Sequence, residues 1–286
     1  MRIDLHAHSN ASDGTDSPAQ LIENAYAAGL DVVALTDHDT VDGHAEAAKA
    51  VRSTPRDRPF ALVPGIELSC IVDHVSLHLL GYLFDPTHAE LAAEIALLRS
   101  DRVRRARAMV DRLVELGAPV SWPQVLRIAG DAAVGRPHVA RALVESGVVA
   151  DVSAAFVPEW IGSTGRAYVE KYSLSPEHAI GLVKAAGGVT VFAHPAASAR
   201  GRTVDESYIA RFAAAGLDGI EIDHPDHDEP TRQRLREVAA ALGLLATGSS
   251  DYHGFVKQTP IGAESTDPAV FDELVVRATG AAVVRA

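Results

Sequence analysis

Seven short aliphatic runs recur along the chain, and several end abruptly in histidine, aspartate or glutamate. The run at 2–5 leads into His6-Ala7-His8, and that at 32–35 into Thr36-Asp37-His38-Asp39. The run at 60–66 leads into Glu67, and the run at 77–84 carries His78. Those at 189–193, 219–222 and 244–247 precede His194, Asp223-His224 and Ser249-Ser250-Asp251-Tyr252-His253. Short length and aliphatic content predict buried parallel strands. Helical patterns lie between them. Ser17 or Asp16 caps a first helix with Pro18 in its opening turn and Gly29 as its stop. Others run over 42–52, 175–186, 205–215 and 229–242, with Gly187, Gly216 and Gly243 as C-caps. Strand and helix alternating in this way predict an α/β barrel, in which chemistry sits at the C-terminal strand ends. The polar clusters fall at those ends.

Residues 88–174 break the rhythm. A long amphipathic pattern over about 88–116 carries Arg99, Arg102, Arg104, Arg105 and Arg107. Trp122-Pro123, Gly135-Arg136-Pro137-His138 and a second helix ending near Gly147 follow. The expected organisation is a barrel formed by 1–87 and 175–286, with 88–174 inserted as a helical cap over its mouth. The arginine run lacks interleaved aromatics, so it reads as a solvated helix face.

Composition narrows the chemistry. Net charge is −12 over 286 residues, which disfavours duplex DNA and other non-specific nucleic-acid binding. The single cysteine, Cys70, permits no intrachain disulfide and suits a cytoplasmic setting. No secretory leader is expected from the polar N-terminal sequence, and no uninterrupted apolar stretch is long enough for a membrane span. Against one cysteine stand 13 histidines, so any transition-metal site must use imidazole and carboxylate.

His6 and His8 lie two apart on a strand, so both rings leave the same face and suit one metal ion. Any one of His38, His78, His194 or His253 taken singly reads as a satisfied core residue. Jointly with Asp13, Glu67 and Asp251 they imply metal, because burying so many polar groups without partners costs several kcal/mol. The motifs Asp4-Leu5-His6-Ala7-His8-Ser9, Thr36-Asp37-His38-Asp39, Gly65-Ile66-Glu67, Ala193-His194-Pro195 and Ser250-Asp251-Tyr252-His253 resemble those of the PHP (polymerase and histidinol phosphatase) superfamily.

The resemblance implies a distorted (β/α)7 barrel with a trinuclear site. One ion would take His6, His8, Glu67 and Asp251. A second would share Glu67 and take His78 and His194, and a third would take Asp13, His38 and His253. Mixed nitrogen and oxygen ligands suit Mn²⁺, Fe²⁺ or Zn²⁺. The implied reaction is phosphate-ester hydrolysis by a metal-bound hydroxide, with no separate catalytic side chain. Asp37 and Asp39 would orient ligand imidazoles, with capping of the 42–52 helix the rival role for Asp39.

Gly135-Arg136-Pro137-His138 resembles a segment of the subgroup that removes the 3′-phosphate from nucleoside 3′,5′-bisphosphates, some of whose members degrade short RNA from the 5′ end. Arg136 and His138 would then bind substrate phosphate, and Lys171, in a second stretch resembling the subgroup, would add a contact. The rival reading of Arg136 is a surface residue at a helix start. Arg200 and Arg202, and His224 with His227, are further candidates to meet substrate, because both pairs follow strand ends. Histidinol-phosphate phosphatase and a non-catalytic metal-dependent nucleotide-binding module are the competing functions.

Overall fold

A computed structural model describes residues 1–130, 134–197 and 202–286. The chain divides into two compact units, Met1–Glu94 with Ser173–Ala286, and Ile95–Tyr172.

The first unit is built on strands β1 (Ile3–Asp4), β2 (Val32–Leu35), β3 (Ala61–Val72), β4 (Val75–Tyr82), β5 (Val189–Phe192), β6 (Gly219–Asp223) and β7 (Leu245–Gly248), paired in that order. An eighth strand, β8 (Val284–Arg285), pairs with the start of β3. The backbone N–H of His8 donates to the Tyr252 carbonyl at 2.8 Å, so the segment after β7 meets the end of β1 and nearly closes a barrel.

The strands are not all parallel. β3 and β4 form an antiparallel hairpin, and β4 also runs antiparallel to β5. Asp73 and His74 connect the two strands, both with positive φ, at 46° and 61°. Two residues suffice for such a turn, whereas a parallel crossover needs a dozen or more. β2 and β5 are buried throughout, as expected of strands covered on both faces.

Helices α1 (Pro18–Ala27), α2 (His44–Ser53), α6 (Pro176–Ala185), α7 (Ser207–Ala214), α8 (Glu229–Leu242) and α9 (Pro268–Arg277) belong to this unit. Ser17 caps α1 through a capping box with Gln20, as the sequence predicts. Gly243 ends α8 in the left-handed region at φ 67°. One apolar cluster, including Ile3, Leu5, Val63, Leu80, Tyr82 and Val191, fills the barrel, and another packs α1 and α2 on β2 and β3.

The second unit contains most of α3 (Ala89–Glu115), then α4 (Trp122–Ala129), α5 (Arg136–Glu145) and a short 3₁₀ turn, Ser153–Ala155. Met109, Leu113, Val125, Val139, Leu143 and Ile161 form its core. The arginine run is not a merely solvated face. Arg105 Nε donates to the Val169 carbonyl at 2.6 Å, Arg104 reaches that of Glu170 at 3.5 Å, and Arg112 binds that of Tyr168. Residues 168–170 have no helix or sheet ladder, so these guanidinium groups satisfy their carbonyls. Among the described residues no helix is long and apolar enough to cross a membrane.

Candidate metal centre

The strands and the segments that follow them deliver their polar residues to one place, although Glu67, expected at a strand end, lies in the middle of β3. His6 and His8 follow β1, His38 follows β2, Glu67 lies within β3, His78 within β4, and His194 follows β5. Asp251 and His253 follow β7, and Asp13 stands in the turn after His8.

Glu67 is the hub. Its Oε2 lies 3.1 Å from His6 Nε2, 3.0 Å from His8 Nε2 and 3.1 Å from His38 Nδ1. Its Oε1 lies 2.8 Å from His78 Nδ1 and 3.1 Å from His194 Nε2. Asp251 Oδ1 stands 3.3 to 3.4 Å from nitrogens of His6, His8 and His253. Asp13 stands 3.5 to 3.7 Å from nitrogens of His8, His38 and His253.

Among the described residues three groups have ligand atoms within 4.8 Å of one another: His6, His8, Glu67 and Asp251; His8, Asp13, His38 and His253; and His38, Glu67 and His78. The first matches the expected set. The second adds His8 to the expected three. The third brings in His38, while His194 approaches the same Glu67 oxygen.

These atoms fit cations better than one another. His6 Nε2, both His8 nitrogens, His38 Nδ1, His78 Nδ1 and Glu67 Oε2 are buried and have no hydrogen-bond partner. Each buried polar atom left unsatisfied costs about 1–3 kcal/mol. A divalent ion bonded at about 2.0–2.2 Å to such nitrogens and oxygens removes that cost.

The electrostatics agree. Burial opposes charge on Glu67, but the His38, His78 and His6 rings outweigh it and hold the carboxyl well below its usual range. Burial likewise opposes charge on His8, yet Asp251 and Glu67 raise it to about 9. Burial and the neighbouring His8 push His253 down to about 3. The metal-free site is therefore a network of unlike histidines around fixed carboxylates. Backbone strain concentrates here too, with positive φ at Asp39 (54°), His194 (29°) and Asp251 (51°).

Asp37 and Asp39 act through loops. Asp37 accepts from the Ser9 N–H at 2.8 Å and from the Ser9 and Ser12 hydroxyls, both at 2.6 Å, which pins the turn leading to Asp13. Asp39 accepts from the Ser69 N–H at 2.7 Å and hydroxyl at 2.8 Å, fastening the β2 loop to β3. It does not cap α2, whose N-cap is Gly43. Asp4 similarly accepts from the N–H groups of Ser250 and Gly262, at 3.0 and 2.8 Å, and from the Ser250 hydroxyl.

His224 does not present a surface to substrate. It is 0% exposed, its Nδ1 accepts from the Asp226 N–H at 3.0 Å, and its Nε2 lies 3.6 Å from Asp251 Oδ2. His227 is also buried, with its ring between the Ile222 carbonyl and the Ala196 N–H. Arg200 lies outside the described residues, and Arg202 is exposed.

Arg136 begins α5 half-buried, its guanidinium 5.4 Å from the Phe156 ring centre. Burial and the nearby Arg102 lower its pKa. His138 Nδ1 accepts from the Gly135 N–H at 3.0 Å, closing the first turn of α5. Lys171, part-exposed, follows the segment held by the α3 arginines.

Two contacts escaped the sequence reading. Lys257 Nζ lies 2.7 Å from Asp251 Oδ2. Glu221, in the middle of β6 and 0% exposed, accepts from His6 Nδ1 at 3.0 Å. The signal for Glu221 was present: an acid alternating with Ile220 and Ile222 in a short buried strand points to the opposite face.

Comparison with known proteins supplies the family. The PHP domain model matches residues 4–117. The chain is 36% identical over 252 residues to the 3′,5′-nucleoside bisphosphate phosphatase of Chromobacterium violaceum, covering 88% of this chain and 87% of that protein. It is 34% identical to a 5′-3′ exoribonuclease of Haemophilus influenzae, covering 88% and 90% of the two chains. A crystal structure from Bifidobacterium adolescentis, described as a metal-dependent phosphoesterase, superposes with a TM-score of 0.87 at 35% identity, over 97% of this chain and 96% of that one.

Proposed function

Because the chain belongs to the PHP domain family, we propose that this metal-dependent phosphoesterase removes the 3′-phosphate from nucleoside 3′,5′-bisphosphates to give nucleoside 5′-monophosphates. The observation that carries this reading is the convergence of His6, His8, Asp13, His38, Glu67, His78, His194, Asp251 and His253, among which His6 Nε2, both His8 nitrogens, His38 Nδ1, His78 Nδ1 and Glu67 Oε2 are buried without a hydrogen bond. Close relatives named for bisphosphate hydrolysis and for 5′-3′ RNA hydrolysis support the substrate class. Shortening of small 5′-phosphorylated RNAs is the second activity, favoured by the exoribonuclease relatives.

Those nine residues hold three divalent ions in this reading, Mn²⁺, Fe²⁺ or Zn²⁺. Such ions supply Lewis acidity, which lowers the pKa of water and neutralises phosphoryl oxygens. Glu67 contributes both carboxylate oxygens and fixes the spacing of the surrounding rings. Asp37, Asp39 and Asp4 hold the loops that carry Asp13, His38 and Asp251. Arg136, His138 and Lys171 are assigned to phosphate recognition, with Arg136 offering a planar fork of donors that a lysine lacks. A cytoplasmic setting belongs to the same reading, supported by the nucleotide substrate and by a single cysteine, Cys70, which permits no intrachain disulfide.

The test is phosphate release from adenosine 3′,5′-bisphosphate by metal-stripped protein reloaded with Mn²⁺, beside histidinol phosphate and AMP, with release of nucleoside 5′-monophosphate followed from a 5′-phosphorylated trinucleotide. The expected result is turnover of the bisphosphate and the trinucleotide with little from AMP. Preference for histidinol phosphate overturns the substrate assignment and keeps the metal centre. Tight nucleotide binding without turnover overturns the hydrolase reading.

A further inference from the structure

Glu221 belongs to none of the three candidate ligand groups, yet its two oxygens reach two separate parts of the centre. Oε1 meets His6 Nδ1 at 3.0 Å and also accepts from the Ser249 hydroxyl. Oε2 accepts from the backbone N–H of His194 at 2.7 Å. His6 directs its other nitrogen, Nε2, at Glu67 and Asp251, while His194 directs Nε2 at Glu67 Oε1. His194 holds φ at 29°, a backbone setting rare for residues other than glycine. Strands β1, β5 and β6 and the segment after β7 therefore converge on one buried carboxylate.

We propose that Glu221 is a positioning residue that sets two metal ligands at once, keeping the His6 proton on Nδ1 so that Nε2 is free to ligate, and fixing the strained backbone that aims His194. This inference rests on the metal-centre reading above. A carboxylate suits the role because both of its oxygens accept. Glutamine has the same shape but one acceptor. The His194 N–H has no alternative tautomer, so the glutamine oxygen must face it. The glutamine NH₂ then faces His6 and Ser249. The serine hydroxyl turns to accept, but His6 can relieve two opposed N–H groups only by moving its proton to Nε2, the nitrogen that metal needs. Ligand imidazoles are commonly held through their second nitrogen, and loss of such a partner typically weakens metal binding about 10- to 100-fold.

The experiment compares wild type with Glu221→Gln, measuring Zn²⁺ affinity by chelator competition and retained zinc by elemental analysis. ¹⁵N-resolved NMR of the zinc-loaded proteins follows the His6 ring. In wild type, His6 should show a slowly exchanging Nδ1–H and a metal-bound Nε2. In Glu221→Gln that Nδ1–H signal should vanish and affinity should fall about 10- to 100-fold. Zinc at the Asp13, His38 and His253 group should be retained, which general misfolding would not allow. Equal affinity in both proteins overturns the proposal. So does a wild-type His6 bound through Nδ1, a measurement that needs no variant. Failure of wild type to bind Zn²⁺ at all overturns the metal centre itself and this inference with it.

Discussion

The two compact units use burial in opposite ways. The interior of the helical unit is hydrocarbon, built on residues such as Met109, Leu113, Val125, Val139 and Ile161. Its buried polar groups are used locally: His138 closes a helix turn, and Asp101 accepts from the Tyr172 N–H at 2.7 Å and pairs with Arg104. The barrel unit also has an apolar core, but around Glu67 it buries His6 Nε2, both His8 nitrogens, His38 Nδ1 and His78 Nδ1 without a hydrogen bond. A fold needs the first kind of interior. The second kind costs stability unless a cation completes it. The contrast separates residues that make the chain fold from residues that make it act.

The largest break in that comparison should come from Asp251→Ala. Its carboxylate lies within 3.4 Å of three imidazoles and also meets Lys257. Phosphate release should fall at least about a thousand-fold, beyond the 10- to 100-fold usual for a residue behind the ligands. Hydrogen exchange should leave amides in 95–172 as protected as before. His8→Ala should behave alike, since His8 enters two of the ligand groups. Retention of half the wild-type rate in either variant would contradict the centre as built here.

Leu113→Ala is the reciprocal break. Leu113 is fully buried in the helical core, and such truncations cost about 2–5 kcal/mol. Protection should drop across 95–172, while bound metal per chain stays at the wild-type level. A loss of metal with this variant would show that the two interiors are not independent.

Much of this division was legible beforehand. Strand ends gave His6, His8, His38, Glu67, His194, Asp251 and His253, because an aliphatic run of fixed period tells which residues leave the barrel rim together. The β3–β4 hairpin was less visible: both strands read as aliphatic runs, and pairing direction depends on a two-residue turn, Asp73-His74, rather than on either strand. The facing of Glu221 was legible from its alternation with Ile220 and Ile222, but its role was not, because that depends on placement opposite His6, which comes 215 residues earlier. Arg104 and Arg105 misled because a charge run looks solvated until the acceptor, here the backbone of Val169 and Glu170, is known.

Stripping the metal gives a smaller, graded effect. Metal at a hundred times its Kd stabilises by about 2.7 kcal/mol, so chelation should lower the barrel's melting temperature and spare the helical core. Protons compete with the metal. In metal-free protein His8 rises from its ordinary 6.5 to about 9. The raised value stabilises the metal-free fold fully below pH 6.5, and that contribution is lost as pH rises through 9. Metal affinity runs the other way and should strengthen from pH 6 to 9. A flat pH profile for both quantities would remove His8 from the ligand set.

The smallest effect is the sharpest control, because it concerns chemistry that the two units share. Ser17 caps α1 in the barrel unit and Ser121 caps α4 in the helical unit, each accepting from the N–H three residues on, Gln20 and Gln124. Both helices also carry proline in the first turn. An alanine at such a cap costs about 1 kcal/mol, set by one orphaned backbone donor and little else. Ser17→Ala and Ser121→Ala should therefore lower stability equally in denaturant titrations of metal-loaded protein, with metal content and turnover unchanged. Equal costs would locate the difference between the units in what they bury and not in how their helices are made. A Ser17→Ala variant that lost metal would instead tie the 9–17 turn, and with it Asp13, to the cap of α1, moving the border between folding and function outward by one helix.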